Sequence, residues 1–224
     1  MISAAIFDLD GLLVDTEPLW RSAEVEILTR LGVPLTDEMC RETQGTRVDR
    51  AMTHWFERFP WKGPGVEEVA EQVVHRVVEL VSTDARPMPG AVAAVEVFSR
   101  RAIPTAVCSS SWTVLIDAAL TQVGLSGAFT IRHSAQDEVL GKPHPACYLT
   151  AAAKLGVEPQ RCLALEDSFN GAIAAKAALM TVIAVPEPSL RDPVRWGFCD
   201  LVLDSLTDLD DEVLDALSRP RIRR

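Results

Sequence analysis

The sequence predicts an α/β fold in which a mostly parallel sheet is covered on both faces by helices and carries an all-helical insertion after its first strand. Three observations carry this reading. Short apolar runs of strand length alternate with helical stretches from about residue 90 onward. The stretch from 17 to about 82 shows helical spacing and no strand-like alternation. Each main apolar run ends in a polar loop, as strands do where they leave a sheet.

The elements follow in order. Residues 4–7 are an apolar run that breaks at Asp8-Leu-Asp-Gly11, a buried strand entering a loop. Leu19, Ala23, Ile27 and Leu31 recur at helical spacing, and Gly32 supplies a stop signal. Further helices are expected near 36–43, 46–58 and 66–82. After Pro87-Met-Pro-Gly90 come a helix over 90–101, a strand at 104–108, a helix over 112–123 and a strand near 128–132. The remainder reads as helix 145–155, strand 161–165, helix 169–178, strand 180–185, strand 201–203 and a helix near 207–217. Strand–helix alternation of this kind implies right-handed crossovers and a parallel sheet. The expected division is a core of 1–15 and 83–224 around an inserted helical domain of 16–82.

Composition narrows the function. The chain has 224 residues, 48% hydrophobic and 24% charged, with a net charge of −10 that disfavours nucleic acid and anionic membranes as partners. The basic tail Arg219–Arg224 reads as a solvated terminus. Five cysteines form no C-x-x-C pair, and four histidines show no metal-ligand spacing. Acidic residues arrive by Asp8, before an apolar leader could form, and the longest apolar runs are strand-sized. A cytoplasmic monomer is expected.

In open α/β sheets, ligands bind beyond the carboxyl ends of the strands. Four such ends carry chemically useful groups: Asp8 and Asp10, Ser109 with Ser110, Lys142, and Glu166 with Asp167. Asp8 and Asp10 lie two apart and can face one side. One carboxylate could act as nucleophile, the other as proton donor and acceptor. A bare D-x-D-G also suits a calcium-binding turn, but an EF-hand loop would want Gly and Glu where Leu13 and Leu19 stand. Glu166-Asp167-Ser168 could ligate magnesium or merely cap the next helix. Lys142 could neutralise a phosphate or sit in a surface turn. Ser109, with the backbone N–H groups beside it, could bind phosphoryl oxygens or cap helix 112–123. A phosphate dianion near these acids needs compensation, because like unit charges 4 Å apart repel by roughly 4 kcal/mol at an effective dielectric near 20. A divalent cation and Lys142 would supply it.

Phe7-Asp-Leu-Asp-Gly-Leu-Leu-Val-Asp15, Cys108-Ser-Ser-Ser111, Gly141-Lys-Pro-His-Pro145 and Ala164-Leu-Glu-Asp-Ser168 resemble, in order, the four motifs of haloacid-dehalogenase-type hydrolases. The resemblance implies a Rossmann-like core with a helical cap, and a phosphatase acting on a small phosphorylated metabolite. It implies Asp8 as nucleophile and Asp10 as general acid/base. Mg2+ would be held by the Asp8 carboxylate, the Asp10 carbonyl and Asp167; the residues themselves add Glu166 as a direct or water-mediated ligand. Ser109, Ser110 and Lys142 would hold the phosphate. Dehalogenases of the superfamily lack the second Asp, so Asp10 points away from dehalogenation.

Within the family the chain resembles the hexitol phosphatase and 2-deoxyglucose-6-phosphate phosphatase group, on Glu17-Pro-Leu-Trp20, Gly45-Thr-Arg47, Trp61 and Gly63-Pro64. That resemblance implies a sugar or polyol phosphate as substrate, with a mutase-type phosphotransfer or another small phosphometabolite as alternatives. Related β-phosphoglucomutases have a histidine where this chain has Trp20. Arg47 is either a substrate contact or a solvated charge at a helix start. Trp20, Trp55 and Trp61 either stack on a sugar or pack between the helices.

Overall fold

A computed structural model describes residues 2–218; the basic tail Arg219–Arg224 lies outside the described residues. The core elements are β1 (Ala4–Phe7), α5 (Ala91–Arg100), β2 (Thr105–Ser109), α6 (Thr113–Gln122), β3 (Ile131–Ser134), α7 (Ala146–Leu155), β4 (Cys162–Glu166), α8 (Phe169–Ala177), β5 (Thr181–Ala184), α9 (Pro193–Trp196), β6 (Leu201–Val202) and α10 (Asp211–Ser218). Between β1 and α5 run α1 (Glu17–Arg30), α2 (Asp37–Cys40), α3 (Val48–Arg58) and α4 (Val66–Asp84). No strand interrupts that helical insertion among the described residues.

The six strands form one sheet in the order β3-β2-β1-β4-β5-β6, with every pairing parallel. Chain order reverses around β1 and β4, the crevice where open parallel sheets bind ligands. In register, Phe7 lies opposite Val107 on β2 and Leu165 on β4. The next residues, Asp8, Cys108 and Glu166, therefore lie side by side at the carboxyl ends of the strands.

Strand periodicity divides the core into two halves. Ala5, Phe7, Val107, Leu163, Leu165 and Ile183 face a large cluster containing Phe98, Leu115 and Ile116. Their alternates Ala4, Ile6, Ala106, Cys108, Ala164 and Val182 face α7 and α8 through small residues such as Ala151, Ala152 and Ala175. Both faces are covered, so the strands read as unbroken apolar runs. The helical insertion joins the first cluster through Met52, Trp55, Val69, Val73 and Val77, and α4 packs on α6 and α1.

Departures from the sequence reading have local causes. The strand expected near 128–132 starts at Ile131, because Phe129 is a core plug packed edge-on against Phe7 with ring centroids 5.8 Å apart. The helix expected over 36–43 is α2 plus a 3₁₀ turn, Arg41–Thr43. The last helix is split: a 3₁₀ turn at Leu206–Asp208 precedes α10, whose Val213 N–H donates to Asp210 at 2.9 Å. The short α9 was not anticipated; Asp192 caps it and Pro193 opens it. Among the described residues no helix is long and apolar enough to cross a membrane, and all five cysteines are free.

Candidate active site

Asp8 follows β1 directly, and its backbone N–H still donates to the Leu165 carbonyl at 3.0 Å, which fixes the carboxylate at the sheet edge. The chain then turns sharply at Gly11, whose φ is +77°. A side chain there would also strike the Asp167 carboxylate, so only glycine fits. Gly171, in the first turn of α8, is bare for a parallel reason: the Glu166 carboxylate occupies the space its Cβ would fill.

Lys142 is not a surface turn residue. Its side chain is 2% exposed, and Nζ donates to Asp8 Oδ1 and Glu166 Oε1 at 2.5 Å each and to the Cys108 carbonyl at 3.0 Å. Those three bonds use all the donors of an ammonium. Burial opposes its charge, but Asp8 and Glu166 outweigh burial and hold its pKa well above the ordinary lysine value. Tyr148, from α7, donates its hydroxyl to Glu166 Oε1 at 2.5 Å and lies under the ammonium with its ring centroid 5.1 Å from Nζ. Glu166 Oε2 accepts from the Ser168 hydroxyl at 2.9 Å, and Ser168 caps α8 through the Gly171 N–H. The capping role thus falls to Ser168 and leaves Asp167 free.

Asp8, Glu166 and Asp167 each offer an oxygen within 4.8 Å of the other two. Asp167 Oδ1 is buried and has no hydrogen-bond partner. Burial, reinforced by the charges of the neighbouring acids, raises the pKa values of Asp8 and Asp167 far above the ordinary carboxylate range. Three carboxylates answered by one ammonium, with an orphaned oxygen among them, fit a hard divalent cation. The Asp10 side chain is outside this set.

Asp10 instead collects four donors. Oδ1 accepts from the Thr16 hydroxyl at 2.6 Å and the Trp20 indole N–H at 3.2 Å; Oδ2 accepts from the Ser109 and Ser111 hydroxyls at 3.0 and 2.7 Å. The serines therefore turn inward and do not cap α6. Ser109 is fully buried and committed to Asp10; Ser110 faces the cleft, and Ser111 lines it with its hydroxyl turned to Asp10. Trp20 lines the cleft edge, whereas Trp55 and Trp61 are buried in the insertion and do not.

The structure does not bring Arg47 into the cleft. Its guanidinium makes a fork to Asp49 at 2.9 and 2.6 Å and reaches the Ala135 and Glu138 carbonyls at 3.2 and 2.8 Å, tying the insertion to the loop after β3. The cleft holds about 350 Å³ and takes its floor from Asp8, Asp10, Ser110, Lys142 and Asp167. Its other wall comes from the insertion and carries Arg21, Glu24, Thr43, Gln44 and Thr46.

Thr16, Ser111, Tyr148 and Glu24 were missed in the sequence. Two of them left a signal: Ser111 lies in the serine run after Cys108, and Glu24 is a charge beside the apolar stripe of α1.

The sequence matches the model of the haloacid dehalogenase-like hydrolase family over residues 2–178. The chain belongs to that family. It is 42% identical over 210 residues to hexitol phosphatase B of Escherichia coli (strain K12), covering 93% of this chain and 94% of that one. Family membership and this relative make the chain a phosphatase. Among solved structures, CbbY from Rhodobacter sphaeroides in complex with phosphate superposes with a TM-score of 0.86 at 28% identity, covering 96% of this chain and all of that one. A β-phosphoglucomutase from Clostridium difficile shares the fold, with a TM-score of 0.84 at 24% identity over 96% of each chain.

Proposed function

We propose that this haloacid dehalogenase-like hydrolase removes phosphate from a sugar or polyol monophosphate through a covalent aspartyl-phosphate on Asp8. The observation that carries the mechanism is the position of Asp8 at the β1 tip, 2.5 Å from a buried Lys142 and beside the orphaned Asp167 oxygen. The substrate class rests on the identity with hexitol phosphatase B and on the polar wall opposite Asp8, where hydroxyl, amide and charged groups would suit a hydroxylated chain.

A carboxylate oxygen of Asp8 attacks phosphorus, the phosphorus–oxygen bond to the sugar breaks, and Asp10 protonates the departing alkoxide oxygen. Asp10 then takes a proton from water, whose oxygen attacks the same phosphorus; the bond to Asp8 breaks and inorganic phosphate leaves. The donors around Asp10 suit both halves. Three of the four are hydroxyls, which can rotate to accept a hydrogen bond when Asp10 carries the proton. Lys142 shifts from carboxylates to phosphoryl oxygens, and backbone N–H groups near Ser110 bind another. Asp8, Glu166 and Asp167 would hold Mg2+, which supplies positive charge against the phosphoryl oxygens. In this reading residues 16–82 form a cap that shields the cleft from water, and the remainder forms the catalytic core.

The test is inorganic phosphate release from hexitol and hexose phosphates in the presence of Mg2+. Release from the wild-type protein, with none from Asp8→Asn, is the expected result. Formation of an isomeric sugar phosphate without free phosphate would overturn the hydrolase reading in favour of intramolecular transfer.

A further inference from the structure

Glu24 is a buried acid that the chemistry at Asp8 does not use. It projects from α1 one helical turn beyond Trp20, is 7% exposed, and lines the same cleft as Asp8 and Lys142. Its Oε2 accepts no hydrogen bond. The polar groups beside it are the Cys40 thiol and the Trp55 indole, and neither carries a positive charge. The nearby cation, Arg21, has its Nε committed to Asp37 at 2.8 Å. Burial pushes the carboxyl up to about 7, and a buried carboxylate without full compensation destabilises the fold.

The Cys40 thiol and the Trp55 indole meet part of the carboxylate, but its Oε2, in the wall of a ligand cleft, stays open to a donor brought by a ligand. Phosphate is the wrong chemistry for that place, since an anion would be repelled. A hydroxyl group is the right chemistry, because it donates without bringing negative charge. Thr43, Gln44 and Thr46 line the same wall. The two threonine hydroxyls donate to the Cys40 and Thr43 carbonyls and keep their acceptor lone pairs, and the Gln44 amide can donate and accept, so they extend the polar surface along a hydroxylated chain.

We infer that Glu24 is a specificity residue: it accepts hydrogen bonds from the hydroxyl groups of the substrate's carbon chain and so selects polyhydroxylated phosphate esters over alkyl ones. The inference rests on the reading of the cleft as a phosphomonoester site. If Glu24 were only a packing residue held by Cys40 and Trp55, its removal would slow all esters alike.

The experiment compares kcat/KM for sorbitol 6-phosphate with kcat/KM for n-hexyl phosphate, which has the same chain length without the hydroxyls. The quantity read is the ratio of the two. A buried acceptor built for a hydroxyl discriminates strongly against ligands that lack one, so Glu24→Ala should lower the ratio by about tenfold or more. Glu24→Gln keeps the side-chain shape, halves the acceptor capacity, and should lower the ratio by about threefold or more; it decides the matter alone if the alanine variant does not fold. A ratio within about twofold of wild type in Glu24→Gln, or in both variants, overturns the role of Glu24. A wild-type protein that hydrolyses neither ester overturns the phosphomonoester reading itself and this inference with it.

Discussion

Glu24 also permits a stability prediction that is independent of any substrate. Burial moves its carboxyl from the ordinary 4.5 to about 7, against the smaller pull of the Cys40 thiol, the Trp55 indole and Arg21. Each pKa unit is worth about 1.36 kcal/mol, so ionised Glu24 lowers the stability of the fold by about 3 kcal/mol. The folded carboxyl binds its proton more tightly than the unfolded one. The penalty is therefore absent below pH 4.5, grows between pH 4.5 and 7, and is complete above about pH 7. Glu24→Gln cannot ionise and escapes it. The stability difference between variant and wild type should move in favour of the variant by about 3 kcal/mol as pH rises from about 4.5 to about 8. For a chain of this size, roughly 2–4 °C accompanies each kcal/mol, so the gap in Tm should widen by about 6–12 °C. Urea or thermal denaturation of both proteins across that range measures it. Any fixed cost of the amide cancels, because only the change with pH is read. A difference that stays flat would refute the claim that Glu24 is buried without adequate compensation.

Other perturbations follow from the same geometry. Lys142→Ala should leave Asp8 and Glu166 buried without their shared cation, costing about 3–5 kcal/mol in urea denaturation, with added Mg2+ restoring part of the loss. Excess chelator should abolish phosphate release and lower Tm, since any ligand bound only by the folded state stabilises it; full activity in chelator would exclude a metal role for the acidic cluster. Tyr148→Phe should cost about 1–3 kcal/mol by removing the hydroxyl bonded to buried Glu166, read by denaturation and accompanied by lower kcat. Arg47→Ala should reduce kcat/KM for sorbitol 6-phosphate and p-nitrophenyl phosphate by the same factor, because its guanidinium grips Asp49 and core carbonyls outside the cleft. A selective loss of the sugar phosphate would return Arg47 to substrate recognition.

The strand ends were legible because their signal is local. An apolar run breaking at a polar pair shows in a few residues, and the parallel topology then brings Glu166 and Lys142 to Asp8, Lys142 from 134 residues along the chain. What stayed hidden depends on side-chain direction. Nothing in the order Cys108-Ser-Ser-Ser111 says that the first and third serines turn toward Asp10 while the second faces the cleft. Trp20 is spaced like a packing residue, and only the fold directs its indole N–H to Asp10. Arg47 read as either exposed or substrate-facing because its acceptors are backbone carbonyls 88 and 91 residues away, which carry no residue-type signature. Phe129 misplaced a strand because an apolar side chain marks burial and not ladder pairing.

The fork between Arg47 and Asp49 gives the insertion a latch that carries its own counter-ion. If the insertion swings away from the core, the contacts with Ala135 and Glu138 pass to water, but the guanidinium keeps its carboxylate partner throughout. Letting go at this one point resembles breaking two ordinary hydrogen bonds, about 1–3 kcal/mol together, and strands no lone ion. That tie is slight beside the apolar packing of α4 on α6, which is what holds the insertion to the core.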